Sequence, residues 1–115
     1  MLSSLNQVMN ALLTVSDSVY HYSAPADSER YIVWAEDMEV TSIEADNWKP
    51  GQTIEGTIDL YTKDEDDAWI AEIPDALNTA RIGWMLNSVQ YEDETRFIHY
   101  EWLFRVLQSY GVNNI

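Results

Sequence analysis

The chain has 115 residues, the length of one domain (1–115), and folding should remove roughly 60 to 70% of the surface that the unfolded chain exposes. Its 20 Asp and Glu against six Lys and Arg give a formal charge of -14, which repels phosphates and disfavours direct DNA or RNA binding. A hydrophobic fraction of 46%, with five Trp and seven Tyr, excludes a disordered chain, and the lack of cysteine excludes disulfides, thiolate zinc sites and cysteine nucleophiles.

Residues 1 to 16 carry no charge, so the basic start of a signal peptide is missing, and no run approaches the ~18 apolar residues of a membrane span. The expectation is a soluble chain with no membrane partner. Leu2, Leu5, Val8, Met9, Leu12 and Leu13 recur at three- and four-residue steps, which predicts an amphipathic helix over 2–15. Its other face, Ser3, Asn6, Gln7, Asn10 and Thr14, is polar but uncharged. It is either solvated or a candidate interface with another copy of the chain, where charge would cost desolvation.

Val19, Tyr20 and Tyr22 predict a short strand over 18–22, followed by a loop around Pro25. Tyr31 to Val40 begins β-branched and aromatic and then turns polar, as a strand does on leaving the core. Asp46 and Asn47 suit a loop tip, with Pro50 and Gly51 at its return. Thr53 to Thr62 alternates, with Ile54, Ile58 and Leu60 opposite Glu55, Thr57, Asp59 and Tyr61. Gly56 falls on the apolar side, where it marks a bulge or a close backbone approach.

Four consecutive acids, Asp64, Glu65, Asp66 and Asp67, precede Trp69, Ile70, Ile73 and Leu77 at helical spacing. A helix is expected to about Ala80, with Pro74 costing it a hydrogen bond and kinking it. Arg81–Glu92 and Thr95–Leu107 predict two strands around a turn at Asp93 and Glu94. In the second, Ile98, Tyr100, Trp102, Phe104 and Val106 form an apolar face opposite Phe97, His99, Glu101, Leu103 and Arg105. Strands joined by short turns imply an α+β fold, a mostly antiparallel sheet with two main helices packed on one face.

The acidic run invites a metal, because calcium and magnesium take carboxylate oxygens. DEDDAWIAE, however, has neither the alternating spacers nor the glycine of a calcium-binding loop. A helix start fits better: Asp64 or Asp66 can cap the Trp69 helix, and the other acids sit at the positive end of its dipole. His21 and His99 are the only histidines. Each sits in a strand beside Tyr residues, and no Ser, His and Asp spacing accompanies either. Neither a phosphate-cradling glycine loop nor a basic patch is present, so no catalytic, cofactor or metal residue is assigned.

The order of motifs resembles the tail terminator and tail-completion proteins of long-tailed bacteriophages and prophages, especially those of low-GC Gram-positive hosts. The resemblance covers nearly the whole chain. It lies in the early helix, YIVWAED at 31–37, ADN at 45–47, GTIDLYTK at 56–63, ALN at 76–78 and WMLNSVQYEDETRFIHYEWLF at 84–104. Where such proteins often carry prolines before the YIVW stretch, Ser28, Glu29 and Arg30 stand here. The resemblance implies a non-enzymatic α+β subunit without a cofactor, which forms a ring, typically a hexamer. It implies assembly in the host cytoplasm onto the tail-tube protein and head-tail connector proteins, and then residence in the virion tail or neck.

A ring through which DNA slides benefits from a lumen that repels phosphate. Asp64, Glu65, Asp66 and Asp67 are the leading candidates for that lining, or for a surface that meets a basic partner. Two other classes fit the charge and size. An acidic DNA mimic would occupy a basic nucleic-acid-binding protein, and a small hydrolase would use His21 or His99.

Overall fold

A computed structural model describes residues 1–40 and 51–109. Its elements are α1 (Ser3–Leu13), β1 (Val19–His21), β2 (Tyr31–Glu39), β3 (Gly51–Thr62), α2 (Trp69–Thr79), β4 (Gly83–Tyr91) and β5 (Ile98–Ser109). Each expected helix and strand is present, with ends shifted by a few residues. The loop expected around Asp46, Asn47 and Pro50, and the ADN stretch, lie outside the described residues.

The five strands form one sheet in the order β1-β2-β3-β5-β4. The β2/β3, β3/β5 and β4/β5 pairs are antiparallel, and β1 pairs with β2 in parallel. The fold is α+β, as the sequence pattern implied. The parallel edge pair is managed by a short connection because β1 spans only three residues, so the chain must return a mere ~10 Å.

Alternation in β3 and β5 settles which side each residue takes. Ile58 lies opposite both Trp34 and Trp102, and Gly56 lies opposite Phe104. Ile58, Leu60 and Phe104 are fully buried, each burial contributing about 1.5–3 kcal/mol. Leu5, Val8 and Leu12 of α1 and Ile73 and Leu77 of α2 close over this side and complete the cluster. The two helices touch one another and cover the same face, and among the described residues the opposite face carries no helix.

Gly56 marks a close backbone approach, the second of its two expected roles. A Cβ here would lie 2.1 Å from the Ala35 carbonyl oxygen and 2.5 Å from the Phe104 ring. The neighbouring strand bulges between Glu36 and Met38 at the same level. The close packing of Phe104 against the backbone thus requires glycine.

The start of α1 and the end of α2 are built from residues that local sequence rules do not single out. Leu2 at the start of α1 offers no side-chain cap, and Gln108 of β5 supplies one instead, its Oε1 accepting the Ser4 N–H at 2.8 Å. At the end of α2 the Ile82 N–H donates to the Leu77 carbonyl at 2.9 Å and the Arg81 N–H to Asn78 at 3.0 Å. This is a Schellman closure with Arg81, at φ 59°, in the place glycine usually takes. Pro74 is accommodated inside α2, which continues as one helix to Thr79.

Candidate functional site

The acidic run divides by burial. Asp64, Glu65 and Asp66 are exposed, whereas Asp67 is buried. The expected caps, Asp64 and Asp66, are not the residues that hold α2. Asp67 Oδ1 accepts the Trp69 N–H at 2.9 Å, while Asp64 Oδ1 accepts the Asp66 N–H at 2.9 Å and so shapes the turn before the helix. Asp67 caps because its carbonyl also receives the Ile70 N–H, at 3.1 Å, which starts the first helical turn.

The Asp67 carboxylate, 1% exposed, is gripped at both oxygens by the Arg30 guanidinium, with Nε 2.7 Å from Oδ2. That guanidinium lies 3.6 Å above the Trp69 ring. Burial alone would push the Asp67 carboxyl up. The hydrogen bonds from Arg30, Thr62 and the Trp69 backbone outweigh it and hold the group below the usual aspartate range. A side chain so enclosed has no free surface to present to a lumen or a basic partner. The set expected over 64–67 therefore reduces to its first three members for any surface role.

A second acidic concentration lies on the sheet face opposite the helices, beside the loop that runs from Tyr22 to Ala26, and it is invisible in the linear sequence. Asp59 of β3 stands directly opposite Glu101 of β5, and Tyr61 opposite His99. His99 Nε2 is 2.6 Å from Asp59 Oδ1, its ring is stacked on Tyr61 at 4.2 Å, and Asn87 donates to Glu101 Oε2 at 2.6 Å. Asp59, His99 and Glu101 bring their ligand-type atoms within 4.8 Å of one another.

Electrostatics around this cluster are strongly negative. The Asp59 hydrogen bond, followed by the Asp59 and Glu101 charges, raises His99 despite its partial burial. Asp37 is raised by burial and then by Asp59, Glu101 and Glu55. Burial and the Asp59 charge push the Tyr61 phenol up to about 12. Arg105 offsets part of the charge through Glu55, at 3.0 Å.

His21 sits elsewhere, at the end of β1. It is stacked between Tyr22 at 3.7 Å and Trp34 at 4.0 Å, with Nε2 2.7 Å from Glu36 Oε1. Burial raises the Glu36 carboxyl, and hydrogen bonds from Tyr22 and His21 outweigh it and lower it overall. The fold thus does not unite the two histidines. Each is held by a carboxylate of its own.

Two further surfaces are uncharged in a chain of net charge -14. Ser3, Asn6, Gln7, Asn10 and Thr14 are all exposed on α1, as the periodicity predicted. Gln7, Asn10 and Thr14 line an open groove with Ala76, Thr79 and Ala80 of α2. The other is the edge strand β4, GWMLNSVQY, where Met85, Leu86, Val89 and Tyr91 are 56%, 47%, 49% and 60% exposed. The hairpin pattern of β4 does not reveal this exposure, because alternation fixes the face of each side chain and not whether another element packs on it.

No family model matches the chain, and no curated protein matches it. Among solved structures, its fold is similar to that of a chain in the virion of a native gene transfer agent particle. The TM-score is 0.56 at 14% identity, covering 94% of this chain and 93% of that one. At that identity the likeness is one of fold, and it runs essentially from end to end. No helix among the described residues is long and apolar enough to cross a membrane.

Proposed function

We propose that this chain is a structural subunit of a phage-like virion, specifically a tail terminator that caps the tail tube and takes part in the head-tail junction. The observation that carries the reading is the end-to-end fold likeness to a virion chain, over 94% of one and 93% of the other. The motif resemblance to tail terminators points the same way from independent evidence. The role is non-catalytic: the chain works by occupying a position in an assembly.

A closed ring requires two different patches on each subunit, one meeting the other on the next copy. Chains of charge -14 repel unless those patches are free of carboxylates. The polar face of α1 and the apolar edge β4 are two such patches, and they supply the contacts of a hexameric ring in this reading. Asp64, Glu65 and Asp66 then line the channel and repel passing phosphate. The tail-tube protein and the head-tail connector proteins are the neighbours along the axis.

Deletion of the gene in the element that encodes it, followed by electron microscopy of the particles, tests the proposal. Tails of irregular or excessive length, or heads and tails that fail to join, are the expected result. Normal particles would exclude it and leave the DNA-mimic alternative, for which tight binding to a basic nucleic-acid-binding protein is the signature.

A further inference from the structure

We propose that Asp59, His99 and Glu101 form a binding site for one divalent transition-metal ion, with zinc as the best fit, on the sheet face opposite the helices. This inference does not depend on the virion reading.

The first argument is register. Two carboxylates placed directly opposite one another on neighbouring strands repel, and such pairs are normally avoided. Asp59 and Glu101 occupy that arrangement inside the longest ladder in the sheet. A cation between them converts the repulsion into attraction. A proton on His99 neutralises a single charge, whereas the cluster and its neighbours Asp37 and Glu55 together present four carboxylates, of which Arg105 pairs with one.

Ligand chemistry is the second argument. One imidazole nitrogen with two carboxylate oxygens is a donor set that suits zinc, and it leaves a fourth position for water. Ligands at zinc distances sit about 3.3 Å apart around a tetrahedron. The three donor atoms already lie within 4.8 Å of one another, close to the spacing that a tetrahedral site requires.

Support around the donors is the third. Tyr61 stacks on the His99 ring at 4.2 Å and fixes its plane. Asn87, at the β4 bulge beside Leu86 and Ser88, holds Glu101 Oε2 at 2.6 Å. Such outer contacts orient ligands and tune affinity. The His99 and Asp59 side chains are 18% and 15% exposed, sheltered yet open to an ion arriving from solvent.

The test uses the purified full chain, stripped with EDTA and titrated with zinc chloride by isothermal calorimetry. The expected result is saturable binding of one ion per chain, weakened more than about tenfold by each of His99→Gln, Asp59→Asn and Glu101→Gln, and about tenfold by Asn87→Ala. Glu65→Gln and Asp66→Asn, in the exposed acidic run, should leave affinity unchanged. Absence of binding, affinity indifferent to the three ligand substitutions, or magnesium binding as tightly as zinc would each overturn the proposal. Cobalt substituted into the unaltered chain provides a reading that no variant's folding can confound. Intense visible bands of a four-coordinate site support the assignment, and the weak spectrum of a hydrated ion contradicts it.

Discussion

The two acidic concentrations of this molecule are built on opposite plans. The run 64–67 is dense in sequence, yet folding disperses it: one acid is buried on Arg30, one shapes a turn, and Glu65 and Asp66 remain at the surface. Asp59 and Glu101 are 42 residues apart in the chain and become direct neighbours through the β3/β5 register. Charge density along the chain is thus a poor guide to charge density in space. Pairing register decides the second, and local capping decides the first.

The largest effect expected from breaking this contrast comes from Arg30. Arg30→Ala leaves the buried Asp67 carboxylate with Thr62 and a backbone N–H only, and should destabilise the fold by about 2–3 kcal/mol. Chemical denaturation of both proteins at neutral pH measures it. A loss within error of zero would show that Arg30 is an ordinary surface cation.

Acid and alkali should then act on the two regions with opposite sign. The Asp67 carboxyl is lowered by folding. Its contribution is therefore present above the ordinary aspartate value of about 3.9 and disappears as pH falls through the folded value. His99 is raised by folding. Its contribution is complete below the ordinary histidine value of about 6.5 and disappears as pH rises through the folded value. Stability followed across pH in EDTA should show a shallower acid limb in Arg30→Ala, with the Glu36 contribution remaining, and a shallower alkaline limb in His99→Gln.

A smaller effect, of opposite direction, is expected for Glu101→Gln in metal-free protein. Removing one member of the facing like-charge pair should stabilise by about 0.2–1 kcal/mol, and the gain should shrink as salt is added. Destabilisation instead would mean that Glu101 contributes more through Asn87 and His99 than it costs against Asp59. The smallest effect belongs to Glu65→Gln and Asp66→Asn, expected within about 0.5 kcal/mol of the unaltered chain because neither group is enclosed.

Much of the fold was legible in the sequence for a physical reason. The alternation in Thr53–Thr62 and Ile98–Val106 and the helical stripes at Leu5, Val8 and Leu12 and at Ile73 and Leu77 are imposed by burial, which acts locally. Gly56 was legible as a close approach because a glycine on an apolar strand face has few other uses. The cap falls on Asp67 and not on the expected Asp64 or Asp66, because all three lie within one turn and only the backbone bond from Ile70 to Asp67 fixes where the helix begins. The Asp59, His99 and Glu101 cluster was not legible. Each strand alone gives its face, and the pairing of Asp59 with Glu101 comes only from the sheet.

The most direct test of the central claim, a virion subunit acting at the end of the tail tube, is an electron cryomicroscopy reconstruction of the particle neck from the element that encodes this chain. The account predicts a ring of this fold between tail tube and head connector, with Asp64, Glu65 and Asp66 facing the channel. Particles that assemble normally with no copy of the chain in the neck would contradict it.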